Sequence, residues 1–434
     1  MKRDGARNSL WQDTTDSYSS KKNLAAPSQF FDVVIAGGGL AGSLAAAMLG
    51  RAGIDAVVVD PHPVCPPDFR CEKLDGVQLQ ILKLTGLADA VASASTPDQE
   101  CWVARRGHLV DKLPGEQQRG IRYDTLVNTV RSQLPNRTEF IHAKVTDIAT
   151  GPERQTVKLS TGEEIAARLV VLATGLNIGI RQKLGIDREV ISPGHSISIG
   201  FDIQPANRSG FPFSSLTYFT ERAADRMAYI SLFPIGGTMR ANMFGYRDLH
   251  DPWLKQFRDQ PRETLNALWP KLHEMMGDFT VTGFVQIRPV DLYVTKGYRQ
   301  NGVVLVGDAF SSSCPAAGTG ARKVLVDVER LCNVHIPRWL ASPGMGEAKI
   351  SAFYDDAIKR ACDTLSEKKA FRLRSYSIDT APHWIALRFA KFIAHWGRGL
   401  LRRLTAMPAP PAGRVPDEAQ GGTSPWVRST PAHK

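Results

Sequence analysis

Four segments of the chain have hydrophobic patterns that can be read directly. Residues 31–60, FDVVIAGGGLAGSLAAAMLGRAGIDAVVVD, begin with an apolar run from Phe31 to Ala36. Three glycines follow, then an Ala- and Leu-rich stretch from about Leu40 to Ala52 ended by Gly53, then a second run from Ala56 to Val59. That order predicts strand, tight turn, helix and strand. Far downstream, Val303 to Val306 is a short β-branched run. It leads through a loop of small residues into a helix expected from about Ala321 to Cys332.

Between them, residues 190–288 alternate polar and apolar: HSISIGFDI at 195–203, SLTYFT at 215–220, MAYISLFPIGG at 227–237 and MRANMFGY at 239–246. Period-two patterning of this kind predicts an antiparallel sheet. Near the C-terminus, WIALRFAKFIAHWGRGLLRRL (384–404) is helical in period. Ile385, Phe389, Phe392, Ile393, Trp396 and Leu400 fall on one side, and Arg388, Lys391, His395, Arg398 and Arg402 on the other. Such a helix either caps the domain with a solvated basic face or lies on an anionic membrane surface.

Composition narrows the class. The chain has 434 residues, 43% hydrophobic and 22% charged, which is ordinary globular composition. None of the six cysteines forms a C-x-x-C pair, so reduced thiols and a cytoplasmic setting are expected, with no metal site. Residues 1–29 are polar and read as a disordered leader rather than a secretory signal. From Thr405 on, Pro, Ala and Gly dominate, and 405–434 reads as a disordered tail. The formal net charge is +11, but the segment 384–404 alone carries five basic residues and no acid. The body is close to neutral, which argues against a nucleic-acid partner.

The first turn carries chemistry. Gly37, Gly39 and Gly42 fit G-x-G-x-x-G, with Leu40 and Ala41 between the last two. The first glycine allows the sharp turn, the second lets a pyrophosphate approach the backbone, and the third lets helix and strand pack closely. The helix N-terminus then offers N–H groups to the phosphates. Asp60, 18 residues after Gly42, stands where a carboxylate can accept from ribose hydroxyls. This loop alone does not choose between NAD and FAD.

The second loop, VGDAFSSSCPAAGTG (306–320), supplies the other half of a long cofactor site. Asp308 at a strand's carboxyl end can accept from ribityl hydroxyls. Pro315, Gly318, Thr319 and Gly320 start a helix whose positive end can face a flavin edge.

Together, GGGLAG and GVVLVGDAFSSSCPAAGTG resemble the FAD-dependent monooxygenases of the para-hydroxybenzoate hydroxylase type over roughly residues 30–332. The second match comprises Gly307, Asp308, Ala309, Pro315, Gly318, Gly320 and Asp327. The resemblance implies an α/β fold: a Rossmann-like FAD-binding domain of parallel sheet and helices, interrupted by a mixed or antiparallel substrate-domain sheet, with C-terminal helices. The expected boundaries are 30–75, 120–189 and 289–340 for the FAD-binding domain. The substrate side takes 76–119 and 190–288, and a helical segment takes 341–404. The resemblance also implies that the stretch from Arg70 closes over the flavin, and that Arg122, opening IRYDTLVNTVRSQL, contacts the cofactor. NAD(P)H is the implied co-substrate.

Three positions depart from the family pattern: Thr174 precedes Gly175 where the family has Asp, Phe310-Ser311 replace Ala-His, and Arg322 stands where Asn is usual. The implied reaction is hydroxylation of an electron-rich aromatic or lipophilic small molecule through a flavin C4a-hydroperoxide. It needs water-excluding walls more than a catalytic acid, and no general base is named, His195 and Tyr229 being the nearest candidates. Tyr218, Tyr229, Phe233, Arg240 and Tyr246 are candidate pocket residues. Tyr229-Ile-Ser-Leu-Phe233-Pro234 also resembles the geranylgeranyl reductases, whose chemistry is double-bond reduction, with Ser231 in place of their Trp. A flavin halogenase is a third reading, although its W-x-W-x-I-P motif is missing. Outside redox chemistry, a flavoprotein fold kept for binding is the alternative.

Overall fold

The computed structural model describes residues 29–114, 118–207 and 210–405. The leader and the tail expected from composition lie outside the described residues, apart from Gln29 and Thr405 at their edges. β1 (Phe30–Ala36) leads through the glycine turn into α1 (Leu40–Arg51) and β2 (Ala56–Val59). β3 (Lys73–Leu74), α2 (Gly76–Leu84), α3 (Ala88–Ser93) and β4 (Thr96–Pro97) follow. Next come the hairpin β5 (Glu100–Arg105) and β6 (His108–Pro114), then β7 (Arg119–Gly120) and α4 (Tyr123–Arg131). β8 (Glu139–Ile141), β9 (Val145–Ala149), β10 (Gln155–Leu159), β11 (Glu164–Leu172) and α5 (Gly179–Lys183) lead to the long β12 (Asp187–Pro205). β13 (Ser215–Phe219), β14 (Met227–Ile235) and β15 (Thr238–Gly245) precede α6 (Pro252–Asp259), α7 (Pro261–Leu268) and α8 (Pro270–Met276). β16 (Phe279–Lys296), β17 (Val303–Leu305) and α9 (Gly320–Arg330) are followed by α10 (Ile336–Leu340), α11 (Glu347–Tyr354), α12 (Ala357–Ile378) and α13 (Pro382–Thr405).

The first sheet runs β8-β2-β1-β11-β10-β9, with β17 also paired to β11. β8, β2, β1, β11 and β17 are mutually parallel. The stretches 33–36, 56–59, 169–172 and 303–305 are apolar and buried because both faces of the sheet are covered there. Val33 and Ile35 enter the core beneath the helices, while Phe31, Val34 and Ala36 enter the core on the opposite face. α1 is buried along almost its whole length, from Leu40 to Gly50, which its small residues allow.

The second sheet runs β16-β12-β15-β14-β13-β5-β6 and is antiparallel except where β13 meets β5. The alternation read between 190 and 288 is its pleat. Ile197, Ile199, Phe201 and Ile203 pack with Leu216, Ile230, Met243, Phe257 and Trp269 against α6–α8. The other face is turned toward the first sheet. A three-stranded sheet, β3-β7-β4, stands between them.

One boundary differs from expectation. Ile81, Leu82, Leu87 and Val91, on α2 and α3, belong to the core beneath the first sheet, so residues 76–93 sit with the FAD-binding unit. Their apolar side chains fit a helical layer, and only β5 and β6 join the second sheet. β12 and β16 also run through the expected boundaries at 189 and 288, so two long strands connect the units. Among the described residues, no helix is long and apolar enough to cross a membrane.

Candidate functional site

The glycine turn sits at the carboxyl end of β1. Gly37 has φ 104°, and a Cβ there would come 2.6 Å from the Ala173 carbonyl oxygen. A Cβ at Gly42 would overlap the carbonyl oxygen of Gly37. Gly39 differs from both: only the Tyr123 hydroxyl, at 3.5 Å, lies within contact of a Cβ built there. Its side is open, as a cradle for a pyrophosphate must be. α1 begins with Leu40, Ala41 and Gly42, whose N–H groups precede any helical acceptor. Asp60 accepts from the Gly38 N–H at 2.7 Å and from the His62 N–H at 2.9 Å, so its carboxylate is fixed beside the turn.

α4 contributes two groups to this turn. The Leu40 N–H reaches toward the Tyr123 hydroxyl at 3.4 Å. Arg131 donates to the Gly38 carbonyl from Nε at 3.0 Å and Nη2 at 2.6 Å, and lies 3.7 Å from Asp60. Sequence reading missed Arg131. Its one signal is that it follows Asn128 by three residues on a helix face, and Asn128 holds the backbone of Cys65 from there. Arg122 points elsewhere: it pairs with Asp202 at 2.7 Å and Glu72 at 3.6 Å.

The second loop sits at the carboxyl end of β17. Ala36, Leu172 and Leu305 pair in register across β1, β11 and β17, so the two loops leave the sheet at the same level. A Cβ on Gly307 would lie 3.8 Å from that of Ala41. The loops therefore adjoin, and one extended dinucleotide can bridge them. Gly307 has φ 59° and donates its N–H to Asp327 at 2.8 Å. Asp327 also binds Lys359 at 2.8 Å, which tethers the loop to α12. Burial works against the Lys359 charge, but Asp327 and Asp363 outweigh it and raise its pKa above the ordinary lysine value.

Other groups hold the same loop. Arg181 is buried and donates to the carbonyls of Ala309 at 2.7 Å and Asn177 at 3.1 Å, which ties the loop to the turn at Thr174-Gly175. Gly318 has φ 66°, and its carbonyl accepts from Gln78 at 3.4 Å. The Thr319 hydroxyl is shared with Ser366 at 2.6 Å, so α9 begins at Gly320 without a side-chain cap. Pro315 opens the short turn that ends at Gly318. Arg70 reaches Asp308 at 3.2 Å and Asp68 at 2.6 Å, so the stretch expected to close over the cofactor does meet this loop.

Facing both loops is the inner side of the second sheet: Ser198, Gly200 and Asp202 on β12, Arg240, Asn242 and Phe244 on β15, Tyr229, Ser231 and Phe233 on β14. In register, Ser231 stands opposite Asn242 and Asn242 opposite Gly200. A Cβ at Gly200 would be 2.5 Å from the Phe69 ring, so glycine there admits that ring to the wall. Ser198 Oγ and Asn242 Oδ1 are buried with no protein partner. Unsatisfied buried polar atoms are uncommon and point to a missing partner. Arg240 is held by Glu72 at 2.8 Å and by Asp202 at 3.4 Å. Arg288 also pairs with Asp68. Burial opposes the charge of Asp68, but Arg70 and then Arg288 outweigh it and hold the carboxyl below its ordinary range.

The remaining candidates separate. Tyr229 donates to the Ala316 carbonyl at 2.7 Å, and burial pushes its phenol well up, so it orients the loop rather than supplying a proton. His195 is fully buried against Ser192, Tyr246 and Phe371. Burial, with Arg374 nearby, holds its pKa down to about 4. Tyr218 faces Trp269 in the opposite core, so it and the cleft lie on different sides of the sheet.

A parallel sheet that offers two loops to the ends of one dinucleotide, roofed by an antiparallel sheet, defines the class: a flavoprotein oxidoreductase. Residues 31–334 match the family described as FAD binding domain, and the chain belongs to that family. It is 26% identical over 381 residues to the ubiquinone hydroxylase UbiL of Rhodospirillum rubrum, covering 82% of this chain and 84% of that protein. It is 26% identical over 320 residues to the 3-demethoxyubiquinol 3-hydroxylase of Escherichia coli, covering 70% and 79%. In fold it is similar to p-nitrophenol 4-monooxygenase PnpA from Pseudomonas putida DLL-E4, with TM-score 0.69, 16% identity and coverage of 87% and 97%. The flavin-dependent brominase Bmp2 shares the fold at TM-score 0.63, 18% identity and coverage of 85% and 100%. The chain is an FAD-dependent oxidoreductase of the monooxygenase kind, and double-bond reduction is not favoured.

The cleft fits FAD. Gly39 leaves the cradle that a Cβ would fill; Asp60 and Arg131, beside the glycine turn, would hold the ribose of the cofactor, and Asp308 with the α9 N-terminus would meet its ring half. Held by these residues, FAD would supply the hydride-accepting and oxygen-activating chemistry of a monooxygenase, with a nicotinamide as reductant.

Proposed function

We propose that this flavoprotein hydroxylates the ring of a lipophilic phenol or quinol; two relatives are named as hydroxylases of ubiquinone and of demethoxyubiquinol. The observation that carries this reading is the pair of unpartnered buried polar atoms, Ser198 Oγ and Asn242 Oδ1, on a wall that also presents Tyr229, Phe233 and Phe244. Both atoms are covered in the ligand-free fold, so a ring reaches them only by displacing side chains of the wall; Asn242 Oδ1 would then accept from a ring hydroxyl and Ser198 donate to a ring oxygen, while the aromatic side chains hold the ring plane and exclude water. The ion pairs of Arg122, Arg240 and Arg288 fix the rest of the wall, so the ring is oriented by a rigid surface. Six unpaired cysteines and a nicotinamide reductant suit a cytoplasmic setting.

The test follows flavin bleaching under anaerobic NADH or NADPH, with and without a short-tailed methoxyphenol or quinol. Admission of oxygen then gives product for mass analysis. The expected result is bleaching that the ring compound accelerates, and a product gaining one oxygen atom. Asn242→Ala raises KM about tenfold, the cost of one such hydrogen bond, while flavin content is unchanged. A product gaining two hydrogens, or oxidation of NAD(P)H that no ring compound affects, overturns the reading.

A further inference from the structure

The outer face of α13 is apolar, and nothing in the described fold covers it. Ile385, Phe389, Ile393, Trp396 and Leu400 are 44–52% exposed and recur at helical spacing as one stripe. Ala386, Ala390, Ala394, Gly397 and Leu401 are exposed as well and widen it. At 1.5 Å per residue the stripe runs about 22 Å. Scattered apolar residues are normal on a monomer, but a continuous stripe marks an interaction surface.

The orientation is fixed from beneath. A Cβ at Gly399 would overlap the Val110 carbonyl oxygen, so glycine lets the helix backbone rest on β6. Arg388 donates to the carbonyls of Tyr376 at 2.9 Å and Asp379 at 2.7 Å, at the end of α12. Lys391 lies over the Tyr376 ring, and Phe392 meets His108. The basic side of the helix thus faces the body and its flank, and the apolar side faces out. Arg398 stays exposed on that flank, beside the stripe.

We propose that α13 docks flat on an anionic lipid bilayer, with this stripe among the acyl chains and the basic flank at the headgroups. Charge selects that occupant. The segment 384–404 has five basic residues and no acid, and the exposed Arg106 lies 5.9 Å from the Phe389 ring. Two copies packed by this face would crowd those cations with no carboxylate from either helix to offset them. An anionic surface supplies the opposite charge. Trp and Phe along the stripe suit the interfacial zone. The docking does not depend on which ring compound is hydroxylated, and its test needs no turnover.

Full-length holoenzyme is sedimented with vesicles of phosphatidylcholine alone and of phosphatidylcholine mixed with phosphatidylglycerol. The expected result is binding to the mixed vesicles, weakened by salt, with tryptophan emission shifted to the blue. The double variant Phe389→Ser, Trp396→Ser weakens binding at least about tenfold, with flavin content and melting temperature unchanged. Arg398→Glu weakens it about fivefold with the stripe intact. Absence of sedimentation, or equal binding to both vesicles, overturns the proposal. So does a concentration-dependent dimer that the double variant abolishes in a protein that ignores vesicles, because the occupant is then a second copy.

Discussion

Gly39 and Gly42 lie three residues apart and are glycine for different reasons. A Cβ at Gly39 meets only the Tyr123 hydroxyl at an ordinary 3.5 Å, so Gly39→Ala folds normally and places a methyl group where the pyrophosphate must lie. A Cβ at Gly42 collides with backbone. The expected outcome is a colourless Gly39→Ala protein whose apo melting temperature is unchanged. Gly42→Ala is both colourless and destabilised, by about 2 kcal/mol. Flavin absorbance and apo-protein melting separate the two. The loop residues were legible in the sequence because each answers a backbone requirement: positive φ at Gly37, Gly307 and Gly318, or close approach at Gly42. Arg122 was less legible. Its neighbour Tyr123 faces the glycine turn and Arg122 faces Asp202, because Arg122 is the extended residue ahead of α4 and Tyr123 is its first helical one. Spacing to a motif does not resolve which side of a helix start a neighbouring side chain takes.

At the scale of elements, strand alternation gave the faces of β12, β14 and β15, since one face needs only to be apolar to find α6–α8. The pattern gave α13 its two sides but not which one met the body, because that rests on Gly399 and on hydrogen bonds to α12 that periodicity does not contain. β12 carries a pH-dependent element of its own. The His195 pKa is about 4 in the fold against an ordinary 6.5, so the folded protein keeps the ring neutral. Below the ordinary value the unfolded chain takes up a proton that the fold refuses. Stability fully present above that value is therefore lost as pH falls toward about 4, by up to about 1.4 kcal/mol per pH unit. Urea unfolding across that window measures the slope. His195→Gln removes this share of it, and an unchanged slope contradicts the assignment.

At the scale of the whole molecule, the two sheets meet across a layer of ion pairs in which Arg70, Arg122, Arg240 and Arg288 alternate with Asp68, Glu72, Asp202 and Asp308. Asp68 joins Arg70, which reaches the flavin-side loop, to Arg288, which belongs to the second sheet. Its depressed pKa means that the contribution is complete above the ordinary carboxylate range and is lost as pH falls through the lower folded value. At neutral pH, Asp68→Asn is expected to cost about 2 kcal/mol in urea unfolding. It also weakens FAD retention on dilution, as Arg70 loses its brace. The layer was not legible, because its members are scattered from residue 68 to residue 308 and only the fold assembles them.

The strand that completes the first sheet, β17, belongs to the last third of the chain and pairs with β11 only after the whole roof has been translated. On the ribosome, the nascent glycine turn therefore waits as half a socket. Cofactor loading becomes an event that must wait for β17 and its loop, and a message truncated ahead of β17 yields a chain unable to turn yellow.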